Sequence, residues 1–290
     1  MSRLSALVRL VRLPAALTVP GDVLLGAAWG GEEDAPATEA ALALGSSLLY
    51  LGGMALNDWA DRELDARERP WRPIPAGEVA PAMALGSAIA LTGGAIAVAG
   101  AAGGARRLRA VLALAATVWL YDLKMKNTSA GPWTMALARA LDVLVGADRR
   151  LPAAGPPAAV VGAHTLLVTL VSAREVGGAD EVLAGRALLG VGASTTVAAT
   201  LILAGPRSAE AAALALACLA LYGWAMGRAG VGALRRGDSA SLQRMVGAGV
   251  LANMPLQAAL LASRGRRAPA AALLAAWPAA RWAGRRASVT

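Results

Sequence analysis

Leu48-Leu49-Tyr50-Leu51-Gly52-Gly53-Met54-Ala55-Leu56 runs without a charge into Asn57-Asp58-Trp59-Ala60-Asp61-Arg62-Glu63-Leu64-Asp65, and Arg67, Arg69, Pro70, Arg72 and Pro73 follow at once. An apolar segment that ends in a dense charge cluster is the pattern of a helix leaving a membrane. At 3.6 residues per turn Asp58, Asp61 and Asp65 project from one helix face, and Glu63 points away. Carboxylates this close repel unless a cation neutralises them, and Mg²⁺ typically joins one or two protein carboxylates to phosphate oxygens. The nearby Arg side chains offer planar forks that suit the same phosphates. Acids and guanidinium groups together at a membrane edge imply a lipid diphosphate.

The whole chain shares the apolar character of that run. With 57% hydrophobic residues, 16% charged residues and a mean hydropathy of +0.52, its 290 residues are too apolar for one soluble domain. Charge-poor stretches recur at residues 11–31, 40–56, 81–105, 108–121, 127–146, 151–173, 187–206, 211–227 and 245–263. Most approach the roughly 20 residues that cross about 30 Å of hydrocarbon. They are continuous runs without the alternation of barrel strands, so an all-α polytopic membrane protein with nine transmembrane helices is expected. A further apolar piece, residues 268–280, is short, contains Pro278 and precedes Arg281, Arg285 and Arg286, so it reads as an interfacial helix in a basic tail over residues 264–290. Residues 1–13 alternate Arg with Leu and Val and read as an interfacial N-terminal helix. One transmembrane domain over residues 1–290 accounts for all of this.

Basic residues are more numerous on the side that carries the N-terminus and the Asp-rich loop, including Arg3, Arg9, Arg67, Arg72, Lys124, Lys126, Arg174, Arg235 and Arg236. The excess predicts a multi-pass protein of the inner (cytoplasmic) membrane with its Asp-rich loops in the cytoplasm. A net charge of +9 scattered along membrane borders favours anionic headgroups over nucleic acid. No clear cleavage site follows the first apolar run, so no cleaved leader is expected. The single Cys218 excludes an internal disulfide, and the single His164, inside an apolar stretch, is expected to be structural or substrate-lining before catalytic.

Two further polar groups fall at matching edges. Tyr121-Asp122-Leu123-Lys124-Met125-Lys126 closes the fourth stretch and holds the only two lysines of the chain. Snorkelling flank residues and diphosphate contacts both account for them. Within the fifth stretch Arg139 and Asp142 share a helix face, and Asp22 is a carboxylate in the first. Charges inside a membrane pair with each other or face a polar cavity, and both readings stay open for these. The third group, Arg174-Glu175-Val176-Gly177-Gly178-Ala179-Asp180-Glu181, places acids around a flexible Gly pair.

Asn57-Asp58-x-x-Asp61-x-x-x-Asp65 followed by Arg69-Pro70-x-Arg72-Pro73-Ile74-Pro75-x-Gly77 resembles the first Asp-rich signature of the UbiA-type intramembrane prenyltransferases. The resemblance covers nearly the whole chain. Tyr121 to Lys126 falls where that family has a Tyr followed by basic residues, and the third group falls where its second Asp-rich motif belongs. The Ser172-x-Arg174-Glu175-x-Gly177-Gly178 form and the Val19-Pro20-Gly21-Asp22 opening look like the EboC-like branch of the superfamily. What the resemblance implies is nine helices around a central cavity open sideways to lipid, with Mg²⁺ and a prenyl diphosphate at the Asp-rich loops.

On that basis Asp58, Asp61 and Asp65 are the expected metal ligands. Asn57, Asp58, Asp61, Glu175 and Asp180 are the expected catalytic residues, with Glu175 and Asp180 on the acceptor side. Asp22, Arg69, Arg72, Tyr121, Lys124, Lys126, Arg139, Asp142 and Arg174 are expected to bind substrate. The chain has no Phe, so aromatic lining would come from Trp29, Trp119, Trp133 and Trp224. The implied reaction is Mg²⁺-dependent transfer of a prenyl group to an aromatic or other small acceptor. A non-catalytic prenyl-lipid-binding or transport protein is the alternative, because the third group departs from the regular Asp spacing of the family.

Overall fold

The computed structural model describes residues 13–30, 35–147, 150–173, 181–205 and 208–286. Arg174, Glu175 and Asp180 lie outside the described residues, as does nearly all of the expected N-terminal helix. In chain order the helices are α1 (Leu13–Ala16), α2 (Pro20–Gly30), α3 (Pro36–Ala60), α4 (Arg62–Glu68), α5 (Pro81–Leu120), a π-helical turn (Tyr121–Met125), α6 (Gly131–Gly146), α7 (Leu151–Ser172), α8 (Glu181–Leu203), α9 (Ala209–Arg236), α10 (Ser239–Ser263) and α11 (Arg267–Arg286). Pro stands in the first turn of α3, α5, α6 and α7, where its missing N–H costs no helical hydrogen bond.

Among the described residues six helices are long and apolar enough to cross a membrane, against nine crossings expected from the sequence. Part of the difference lies in α5, whose run through the π-turn counts as one. Gly104 breaks it with φ 70 and ψ −172, backbone that only Gly adopts without strain. The chain folds back there: Trp119 Nε1 donates to Thr92 Oγ1 at 3.2 Å, although a straight helix would hold them about 40 Å apart. The third and fourth apolar stretches are thus two antiparallel arms, residues 81–103 and 105–120. α2, with 11 residues, and α6, with 16, are shorter than a full span.

Those two short helices touch through their backbones. A Cβ on Gly26 would sit 1.8 Å from the Val143 carbonyl oxygen, and one on Gly146 would sit 1.9 Å from that of Val23. One apolar cluster joins α2, α6, α7, α8, α9, α10 and α11, and a second packs α3 against both arms of α5. A third, built from Ala55, Leu56, Ile74, Val79, Ala84 and Ala88, seats the loop after α4 against the end of α3. That small core fixes the Asp-rich segment.

α10 is the central helix, with every residue from Ala252 to Ser263 buried. It leaves α9 at Gly237, whose φ of 59 ends the helix, and Asp238 caps α10 by accepting from the Ser241 N–H at 2.6 Å. The tail helix α11 extends beyond the expected apolar piece and packs along α10, with Gly284 reaching Leu251. His164 ties α7 to α9 and α10: its Nε2 lies 2.9 Å from the Gly249 carbonyl oxygen and its Nδ1 lies 3.0 Å from Tyr222 Oη. Since a carbonyl only accepts, Nε2 carries the proton and Nδ1 accepts from the Tyr222 hydroxyl. Of the structural and substrate-lining roles left open for the lone His, these two bonds between helices are of the structural kind.

Candidate active site

α3 carries Asn57 and Asp58 to its end and stops at Ala60, and Asp61 (φ −88, ψ 0) is the hinge to α4. The hinge divides the carboxylate trio. Asp58 and Asp65 face one way and share Arg72, whose Nη1 donates to Asp58 Oδ1 at 2.9 Å and to Asp65 Oδ2 at 3.2 Å. Arg69 adds a longer contact to Asp65 at 3.7 Å. Asp61 faces the other way and pairs with Lys126 Nζ at 2.5 Å. The shared face expected from helical spacing therefore holds for two of the three acids, because the helix does not continue through the middle one.

Asp61 looks into a cavity of about 280 Å³ lined by Trp59, Ala60, Asp61, Arg62, Asp122, Leu123, Lys124, Lys126 and Asn127. The π-turn shapes its far wall. The Lys126 N–H reaches back five residues to the Tyr121 carbonyl at 2.9 Å, which widens the helix by one residue, and Asp122 on this turn lies against α3. Asp122 is buried, and it accepts from Asn57 Nδ2 at 3.0 Å. Asn57 thus orients the carboxylate of Asp122 on the facing element. Tyr121 supplies a backbone bond and is not part of the lining.

Both lysines expected to meet a diphosphate line this cavity. Arg69 and Arg72, expected in the same role, are instead spent on Asp58 and Asp65, where they brace the loop. Asp122 and Arg62 are the two charged lining residues to which sequence reasoning gave no role. Asp122 had a signal, a carboxylate two and four residues ahead of the only lysines, whereas Arg62 was one among many arginines.

Asp22, Arg139 and Asp142 come together, but in the middle of the bundle. Arg139 Nη2 lies 2.7 Å from Asp22 Oδ2, and Gln257 Nε2 donates to Asp22 Oδ1 at 2.6 Å and to the Thr18 carbonyl at 2.9 Å. Ser46 Oγ lies 2.6 and 2.7 Å from the two oxygens of Asp142. Ser46 is about 18 Å along α3 from Asp58, so this buried network is separate from the cavity. None of Trp29, Trp119, Trp133 and Trp224 lines the cavity; Trp59 does. Trp29 instead donates to the Leu260 carbonyl at 3.1 Å and stacks under Arg264.

Among the described residues no three acidic, His or Cys side chains converge on one point. Mg²⁺ needs only one or two protein carboxylates when phosphate oxygens complete its shell, and Asp61 and Asp122, which line one cavity from facing elements, offer hard oxygens of that kind. Asp58 joins them only by releasing Arg72, and Asp65 is turned away.

The family model described as the UbiA prenyltransferase family matches residues 18–173, a stretch that begins before α2 and includes both walls of the cavity. The chain belongs to the UbiA prenyltransferase family. Digeranylgeranylglyceryl phosphate synthase of Ignicoccus hospitalis is 32% identical over 227 residues, 76% of this chain and 71% of that protein. Enzymes of the same name from Natronomonas pharaonis and Methanothrix thermoacetophila are 37% identical over 91 residues and 52% identical over 44 residues. Those two alignments cover 31% and 15% of this UbiA-family chain, and only 33% and 16% of the relatives' own length.

In three dimensions the fold is similar to a UbiA homolog from Archaeoglobus fulgidus bound to GPP and Mg²⁺, with TM-score 0.61 and 17% identity over 88% of this chain and 99% of that one. A structure of digeranylgeranylglyceryl phosphate synthase gives TM-score 0.57 and 15% identity over 91% and 99% of the two chains. The UbiA-like helical fold and a multi-pass, integral membrane protein follow.

Proposed function

We propose that this protein is a Mg²⁺-dependent intramembrane prenyltransferase whose diphosphate site is the cavity between the α3–α4 hinge and the π-turn. The observation that carries the reading is the joint lining of one cavity by Asp61, Asp122, Lys124 and Lys126 at the end of an apolar bundle. A family of prenyltransferases, relatives named as synthases of a prenylated glyceryl phosphate, and a neighbouring fold bound to GPP and Mg²⁺ support it. The excess of basic residues on the side of this cavity supports a cytoplasmic opening.

In the transfer, the bond from the allylic carbon to the diphosphate oxygen breaks with its electron pair on the diphosphate. A new bond forms from that carbon to the electron-rich atom of the acceptor, and the acceptor gives up a proton. Lys124, Lys126 and Arg62 supply positive charge where the departing oxygens gather electrons. Bound Mg²⁺ supplies Lewis acidity at the same oxygens, with Asp61 and Asp122 as the residues that would hold it. Asn57 holds the Asp122 carboxylate in place, and Arg72 holds Asp58 and Asp65 so that the α3–α4 hinge keeps its shape. Surrounding apolar helices keep water from the allylic carbon, which favours transfer over hydrolysis. Glu175 and Asp180 remain the residues proposed to take the acceptor's proton.

The test is binding and turnover of radiolabelled prenyl diphosphates of several lengths with a panel of acceptors, by wild type and by Asp61→Asn and Asp122→Asn. Each substitution is expected to weaken Mg²⁺-dependent diphosphate binding about tenfold or more, equal to about 1.4 kcal/mol. Binding that ignores Mg²⁺ and both substitutions would remove the cavity from consideration. Binding without turnover across the panel would favour a lipid-binding protein.

A further inference from the structure

Lys126 and Asp61 hold each other at 2.5 Å, with side chains 11% and 18% exposed. The ammonium has three N–H donors, yet its Nζ is buried and makes no well-formed hydrogen bond among the described residues. It is a cation with unused donors at the edge of a cavity. Asp61, in turn, is a hard carboxylate lining the same cavity. While they hold each other, Asp61 is covered against a metal and Lys126 is withheld from a phosphate.

The charges of the lining make the same point. Arg62, Lys124 and Lys126 against Asp61 and Asp122 leave a formal charge of +1. A divalent cation arriving alone would raise this to about +3, and a diphosphate ester, with about three negative charges, would alone bring it to about −2. Arriving together they leave the cavity near neutral. The cation alone meets like charge, the diphosphate alone leaves an excess of negative charge, and the two together leave neither.

Resting on the prenyl diphosphate reading above, we propose that Lys126 is an exchangeable counter-ion: it covers Asp61 in the free protein and moves to the diphosphate when Mg²⁺ takes Asp61. The backbone is suited to the exchange. The Lys126 N–H is held by the Tyr121 carbonyl at 2.9 Å, so the long stem pivots from a fixed base. The consequence is that Mg²⁺ and diphosphate raise each other's affinity, a reciprocal coupling of ordinary size for linked sites.

The test measures Mg²⁺ binding to the full chain without substrate, by titration calorimetry, and GPP binding with and without Mg²⁺. Lys126→Met is expected to bind Mg²⁺ alone about tenfold tighter than wild type, and to lose about tenfold of the Mg²⁺-induced gain in GPP affinity. Lys126→Arg should keep both at wild-type values. Asp61→Asn, which releases the ammonium, should bind GPP without Mg²⁺ more tightly than wild type. If Lys126→Met binds Mg²⁺ alone no more tightly and keeps its full coupling, or Asp61→Asn gains nothing for GPP, the exchange is wrong and the transferase reading stands. If wild type binds no GPP even with Mg²⁺, the transferase reading falls and the exchange with it.

Discussion

Replacing Arg72 by Met keeps an unbranched stem and removes the one cation shared by Asp58 and Asp65. In the intact protein these three side chains are 11%, 7% and 2% exposed, so the carboxylates lose their counter-charge where water cannot take its place. Removing one member of a buried ion pair costs about 3–5 kcal/mol. Arg69, 3.7 Å from Asp65, recovers a part, which puts the expected loss near the lower end, about 3 kcal/mol.

The assay is equilibrium unfolding in mixed micelles, repeated with and without Mg²⁺. A cation that binds the folded form stabilises it by mass action, so Mg²⁺ should raise the stability of Arg72→Met more than that of wild type. Arg72→Lys, which keeps a cation with donors enough for both acids, should recover most of the loss. A stability of Arg72→Met within about 0.5 kcal/mol of wild type, the range of an inconsequential surface change, would refute the bracing role.

Arg139→Leu should cost about 3–5 kcal/mol in the same assay, since it leaves Asp22 and Asp142 in the bundle without their cation, and adding Asp22→Asn should restore much of it. Gly146→Ala places a methyl 1.9 Å from the Val23 carbonyl oxygen, so α2 and α6 must separate, with a loss of at least about 1–3 kcal/mol expected from thermal melting. The Ser241 N–H and then its hydroxyl hold the Asp238 carboxyl below its ordinary 3.8. A depressed carboxylate stabilises the fold fully above that value and progressively less as pH falls below it. The difference in melting temperature between wild type and Asp238→Ala should therefore persist near neutral pH and shrink below pH 3.8; a difference independent of pH would contradict it.

Much of the architecture is present in local pattern. Charge-free runs such as Leu48 to Leu56 have no stable place but a membrane or a membrane-like core, and Pro36, Pro81, Pro132 and Pro152 mark helix starts that neighbours do not need to confirm. Asp58, Asp61 and Asp65 with their Arg companions marked the end of the bundle where the candidate cavity lies, because charge at that density needs a counter-charge wherever the chain goes. Lys124 and Lys126 stood out by composition alone, and both reached the cavity.

What the residues did not reveal depended on elements distant in the chain. Helical spacing put three acids on one face, but the hinge at Asp61 and the arrival of Lys126 from the π-turn, 65 residues later, turned one of them away. Asp122 gained a role only because Asn57 and Asp61 lie across from it. Asp22, Arg139 and Asp142 were recognisable as charges that must be neutralised, yet only the packing of α2, α3, α6 and α10 chose each other and Gln257 as the means and kept them from the cavity. Periodicity and composition are properties of single segments and fix which faces are apolar and where water begins. Which charge meets which is set by the distances between segments, and those exist only after the helices have packed.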